Sequence, residues 1–213
     1  MSTPGTQLPG VSFSPESQGL RFGVLGSGKG SNFRALAEAW RAGTLGCTPV
    51  IVLSDIETAG ILGLAKGFGI PRHFVVPGPF RTKMSTEAEG EIVRLLEEAK
   101  VDFVVLAGFM RVIKEPLLRA FPGRILNIHP SLLPTFRGLE AWRQALEAGV
   151  PEAGCTVHLV DEGVDTGKIL GQSRIPVLPG DTAETLHARI QVAEHELYPR
   201  IVREFAAGIS KAS

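Results

Sequence analysis

The chain has 213 residues, 44% apolar and 21% charged, with 22 basic residues balanced by 22 acidic ones. That composition is ordinary for a globular protein, and the zero net charge argues against a broadly basic nucleic-acid-binding surface. No apolar run approaches the ~20 residues of a membrane span, so neither nucleic acid nor a membrane is an expected partner.

Residues 1–19, MSTPGTQLPGVSFSPESQG, are rich in Ser, Pro and Gly and contain no basic start followed by an apolar run. They read as a flexible tail and not a signal peptide, leaving residues 20–213 as a single domain. RFGVLG is the first expected strand, and SNFRALAEAWRAG follows with Phe33, Leu36, Ala37 and Trp40 at helical spacing. TPVIVLSD and RHFVVP read as strands two and three around a shorter helix, AGILGLAKGFG. STEAEGEIVRLLEEAK is a helix with Ile92, Leu95, Leu96 and Ala99 on one face. DFVVLAG is apolar throughout, as a strand buried on both faces should be. EPLLRAF is a short helix and RILNIH a fifth strand.

Alternation of this kind predicts an α/β fold, a mostly parallel Rossmann-like sheet with helices on both faces. GCTVHLV and KILGQSRIPVL, joined by the turn-rich DEGVDTG, predict an antiparallel C-terminal addition. The last helix spans residues 181–208, with Asp181 or Thr182 as its N-cap and Pro199 expected to kink or interrupt it. Cys47 and Cys155 have no CxxC or metal-like spacing, so they read as reduced thiols of a cytoplasmic protein, a single disulfide being the alternative.

Three features carry chemistry. The loop GVLGSGKGSN places glycines at 26, 28 and 30 between the first strand and the first helix, where free helix N–H groups suit a phosphate. It narrowly misses two nucleotide motifs: GxxxxGK lacks its Ser/Thr because Gly30 follows Lys29, and GxGxxG meets Ser31 at its sixth position. A nicotinamide-cofactor reading survives in a weak form, with Asp55 as the ribose ligand. Asn127 and His129 share one face of the fifth strand at its carboxyl end, where an amide and an imidazole could stabilise an oxyanion. Asp165, between Gly163 and Gly167, could pair with His129, raise the imidazole pKa and orient a water, although such an Asp is also a common turn residue. His158 reads as structural, and His187 and His195 form no convincing metal site.

Together GSGKGSN, VVLAGFMRV, NIHPSLLP, DEGVDTGKIL and AEHELYP resemble phosphoribosylglycinamide formyltransferase, the folate-dependent enzyme of purine synthesis, from about Arg21 to Ala207. The related formyltetrahydrofolate hydrolases carry an extra N-terminal domain, for which a 19-residue tail is too short, and methionyl-tRNA formyltransferase carries an extra C-terminal one. The resemblance implies formyl transfer from 10-formyltetrahydrofolate, a co-substrate, to the amine of glycinamide ribonucleotide, with no metal and as a monomer or weak homodimer. It implies that Gly30, Ser31 and Asn32 hold the ribonucleotide phosphate and that Glu194, with Gln191 nearby, binds its ribose. Met110, Arg111, Val112 and Ile113 would line the folate pocket with backbone groups, and Asp161, Glu162, Gly163, Val164 and Asp165 would close over it. Asn127, His129 and Asp165 would be the catalytic trio. The chain departs from the family where Pro-Gly-x-His is replaced by Arg137, Gly138, Leu139 and Glu140, closer to the tRNA enzyme, and where Lys83 stands for a folate-contacting Arg. Formyl transfer to another amine and a non-catalytic nucleotide-binding domain are the alternatives.

Overall fold

The structure is a computed structural model that describes residues 19–210; the expected tail, apart from Gly19, lies outside the described residues. The strands are β1 (Arg21–Leu25), β2 (Thr48–Ser54), β3 (Arg72–Phe74), β4 (Phe103–Leu106), β5 (Ile125–His129), β6 (Glu152–Leu159) and β7 (Ile169–Pro176). They form one sheet in the order β3-β2-β1-β4-β5-β6-β7, parallel from β3 to β5 and antiparallel from β5 to β7. The helices are α1 (Ser31–Arg41), α2 (Gly60–Phe68), α3 (Thr86–Glu98), α4 (Glu115–Ala120), α5 (Ala141–Glu147) and α6 (Ala183–Ser210).

The pleat divides the core in two. Phe22, Val24, Phe103, Val105, Leu126 and Ile128 point to the layer that contains α1 and α6. Leu25, Val104, Leu106 and Ile125 point to the layer of α3 and α4. Helices therefore cover both faces, and the continuous apolar runs of β1 and β4 follow from burial on both sides. Strand β3 is shorter than the run RHFVVP suggests; all three of its residues are exposed at the sheet edge.

Two local expectations change. Helix α6 runs unbroken through Pro199. Tyr198 beside it is fully buried, and its hydroxyl donates to the carbonyls of Leu106 (2.8 Å) and Leu126 (3.2 Å). With Leu197, Ile201 and Val202 also buried, packing outweighs the missing hydrogen bond. The N-cap is Thr182: its Oγ1 accepts from the Thr185 N–H, and Thr185 Oγ1 accepts from the Thr182 N–H. Helix α5 is an element that the sequence reading did not anticipate. Both cysteines are free and buried, and burial pushes their thiols up to about 12.

Candidate active site

Because β1, β4 and β5 are parallel neighbours, their carboxyl ends bring three segments to one edge: the glycine loop, residues 107–113, and Asn127 with His129. The glycine loop owes its shape to packing as well as to turning. A side chain on Gly26 would meet the Ala107 carbonyl oxygen at 2.8 Å. Gly30 is left-handed at φ +80°, and its missing Cβ would lie 2.9 Å from Ile61. Gly28 needs neither: open space surrounds it, and its φ is not left-handed. The fold thus leaves the backbone at Gly28 approachable without requiring glycine there.

Beyond the loop, Asn32 Nδ2 on α1 donates to Glu194 Oε2 on α6 at 2.9 Å. Two residues 162 apart in sequence, both expected at the ribonucleotide, are therefore in contact. Asn32 Oδ1 is buried without a partner. Burial pushes the Glu194 carboxyl up to about 7, against the opposing bond from Asn32. Ser31, Arg34 and His195 line an adjoining cleft of about 490 Å³ between α1 and α6, and His195 Nε2 has no partner. The sequence reading considered His195 only as a metal ligand; its place one residue after Glu194 was the available signal. Gln191, half-buried, lies one turn earlier on α6.

At the end of β5, Asn127 and His129 share the face of Ile125, while Leu126 and Ile128 pack into the opposite layer. Asp165 takes a left-handed backbone, φ +53°, which aims its carboxylate at the strand. Oδ2 lies 3.4 Å from His129 Nδ1, and Oδ1 lies 3.6 Å from His158 Nε2. The expected trio is thus assembled with a fourth member. His158 sits opposite Asn127 in the antiparallel β5–β6 register, and the two side chains meet at 3.2 Å. His158 Nδ1 faces the Leu159 carbonyl at 2.8 Å, so that nitrogen carries the proton and Nε2 accepts from the Asn127 amide.

The replaced stretch after NIHPSLLP holds this cluster. His129 Nε2 donates to the Phe136 carbonyl at 2.8 Å, and the Gly138 N–H donates to Asp165 Oδ2 at 2.9 Å. Phe136, Gly138 and Glu140 are all left-handed, at φ +55°, +80° and +52°. Both ring nitrogens of His129 thus face oxygen acceptors. Burial nonetheless lowers the His129 pKa, with the Phe136 carbonyl and Asp165 opposing and His158 adding to the lowering. Asp165 pushes the imidazole up, as expected, but desolvation outweighs that nearby charge and the net direction is down. Burial alone would raise Asp165, but the neighbouring His158 and His129 imidazoles and the Gly138 N–H together hold its carboxyl below the usual range.

Among the residues expected at the folate, Met110 is 60% exposed and Ile113 buried. The Val112 N–H donates to the Thr82 carbonyl, and Val112 pairs with Lys83 in a parallel bridge. Val112 is therefore turned toward residues 82–84, and the backbone groups of Arg111 and Ile113 point the other way. Lys83 is exposed, with its ammonium 4.4 Å above the Phe80 ring. In loop 161–165, Asp161 Oδ1 accepts from the Gly163 N–H (3.1 Å) and Thr166 Oγ1 (2.6 Å), while Glu162 and Val164 are exposed. Asp55 is not open to a ribose: Ser27 and Arg111 occupy both of its oxygens, which removes the nicotinamide reading.

A family model described as formyl transferase matches residues 20–202. The chain belongs to the formyl transferase family. Its relatives include the phosphoribosylglycinamide formyltransferase of Bacillus subtilis, 40% identical over 86% of this chain and 93% of that protein. The trifunctional purine biosynthetic protein adenosine-3 of Drosophila pseudoobscura pseudoobscura is 48% identical over 88% of this chain, which spans only 14% of that longer protein. Among solved structures, glycinamide ribonucleotide transformylase 1 from Symbiobacterium toebii superposes with a TM-score of 0.86 at 44% identity, covering 94% of this chain and 92% of the other. A formyltetrahydrofolate deformylase from Pseudomonas syringae superposes at 0.82 with 28% identity, covering 90% of this formyl transferase and 63% of that chain.

Proposed function

We propose that this formyl transferase moves the formyl group of 10-formyltetrahydrofolate to the amine of glycinamide ribonucleotide, a step of purine biosynthesis. The observation that carries the reading is the convergence of Asp165 on His129, 3.4 Å apart, beside Asn127 and next to residues 110–113. Support for the substrate comes from the Asn32–Glu194 pair beside a helix N-terminus and from the Bacillus subtilis and Symbiobacterium toebii relatives.

In this reading Gly30, Ser31 and Asn32 hold the phosphate, and Gln191 and Glu194 hold the ribose. The backbone of residues 110–113, Lys83 and loop 161–165 enclose the folate. The amine attacks the formyl carbon and the carbonyl oxygen becomes an oxyanion. The Asn127 amide donates to it, as does the His129 Nε2–H once folate displaces the Phe136 carbonyl. Asp165, kept ionised, sustains the charge of a His129 imidazole that enters the step protonated, and orients a water. That water relays the amine proton to the folate nitrogen as the carbon–nitrogen bond to folate breaks. The chain would work in the cytoplasm on small molecules, as a monomer or weak homodimer, without nucleic acid or membrane partners. Among the described residues no helix is long and apolar enough to cross a membrane.

The test is purified protein with both substrates, followed by the absorbance change as the folate loses its formyl group. Transfer that requires the ribonucleotide supports the reading. Release of formate without any amine would point to hydrolysis, and binding without turnover to a sensor domain.

A further inference from the structure

We propose that Asp55 is a positioning residue that keys the ribonucleotide loop and the folate loop to one carboxylate; the substrate names rest on the function proposed above. Its side chain is 3% exposed, at the end of β2, outside the catalytic cluster. A carboxylate so buried must be paired on both oxygens. Oδ1 accepts from Ser27 Oγ at 2.6 Å, and Oδ2 accepts from Arg111 Nε at 2.6 Å.

Each partner bonds onward to a different part of the site. Ser27 belongs to the glycine loop; its Oγ accepts from the Met110 N–H at 2.9 Å, and its N–H donates to the Gly108 carbonyl at 3.0 Å. Arg111 Nη1 donates to the carbonyls of Phe80 at 2.5 Å and Lys83 at 3.2 Å. One carboxylate thus links the side chains of three irregular segments, adding to the main-chain bonds Val112–Thr82 and Ser27–Gly108 that join them in pairs. Phe80 and Met110 are exposed, so apolar packing does not fix these segments at those points. Charge-assisted bonds are short and directional, which suits a locating role. The arrangement turns Arg111 inward, so that it serves folate through its main chain while its guanidinium braces the pocket wall.

The tie predicts a binding effect on both substrates and little effect on the chemical step. Asp55→Ala should raise KM for formyl folate and for the ribonucleotide about tenfold each, the equivalent of a lost directional hydrogen bond, with kcat within about threefold. Asp55→Asn keeps an acceptor for Arg111 Nε and should recover most of both losses. If Asp55→Ala does not fold, Ser27→Ala replaces it, since it cuts the link to Met110 and leaves the buried ion pair. Hydrogen exchange on substrate-free protein is an independent arm: the Met110 amide should exchange about tenfold faster in Ser27→Ala, as expected for one lost protecting bond. A fall in kcat with both KM values unchanged, or unaltered exchange at Met110, would overturn the tie. If wild-type protein transfers no formyl group, the proposed function falls and the exchange result alone decides whether Asp55 keys these loops.

Discussion

Glu194 gives the sharpest quantitative test, because its position couples burial to the substrate contact proposed for it. The side chain is 5% exposed, and its ordinary value of 4.5 rises to about 7. In the unfolded chain the group ionises near its ordinary value, whereas the folded chain keeps the proton until about 7. Between those values the native state binds a proton that the unfolded state has lost, so stability falls as pH rises through the window. At 1.36 kcal/mol per pKa unit, the full difference is about 3 kcal/mol, present above the window and absent below it. Glu194→Gln removes the titration and keeps an acceptor for Asn32 Nδ2. Urea unfolding of both proteins at half-unit pH steps measures the difference directly, and the other carboxylates cancel. The two should be nearly equal at about pH 4.5, and the Gln variant should be more stable by up to about 3 kcal/mol at about pH 8.5. The ionised group is the better acceptor for ribose hydroxyls, so wild-type KM for the ribonucleotide should fall as pH rises through 7, while that of the variant stays flat and higher. Stability curves that run parallel from about pH 4.5 to 8.5 would refute the argument that this buried carboxyl is held protonated.

Asn127→Ala and His129→Ala should each lower kcat by ~10²–10³ or more, and Asp165→Asn should lower it and also shift to lower pH the limb set by loss of the His129 proton, because the imidazole loses the charge that supports its protonation. Combining His129→Ala with Asp165→Asn should be far less than additive in kcat, and full additivity would remove Asp165's action through His129. Gly28→Ala should leave urea stability within about 1 kcal/mol, since its Cβ would meet nothing within 4 Å, while raising KM for the ribonucleotide if the proposed phosphate site uses that open space. Gly30→Val should unfold at clearly lower urea, because the left-handed turn and Ile61 both oppose a side chain. Deleting residues 2–18 should change neither melting temperature nor kcat, and a large loss of melting temperature would show that the segment packs on the domain.

The fold was legible because its signals are local. Alternating strand and helix patterns, glycine stops and continuous apolar runs give the parallel sheet and its antiparallel end directly. What stayed hidden depends on contacts between segments far apart in the chain. His158 looked like a lone polar residue in an apolar strand. Only the β5–β6 register, which sets it opposite Asn127, shows that it completes the cluster around Asp165. Asp55 followed a nucleotide motif closely enough to suggest a ribose, yet its two oxygens belong to Ser27 and Arg111, 28 and 56 residues away. Pro199 was expected to kink or interrupt its helix on local grounds, and the helix is not interrupted: buried Tyr198 holds it to the sheet beside the proline.

His129 shows why a charge estimate from sequence fails where a geometry estimate succeeds. The spacing of Asn127 and His129 on a strand fixes their common face whatever surrounds them. The imidazole's proton affinity depends on everything around it. Asp165 and the Phe136 carbonyl favour a second proton, but burial disfavours it more strongly, and the net direction is downward. The stretch that supplies Phe136 and Gly138 is also where the chain departs from its family's Pro-Gly-x-His pattern. Both contacts from that stretch, the Phe136 carbonyl and the Gly138 N–H, come from the main chain. A sequence change there can therefore keep the cluster intact as long as the left-handed turns at residues 136, 138 and 140 survive. The cluster touches this stretch through backbone groups, so its assembly depends here on backbone conformation more than on side-chain identity.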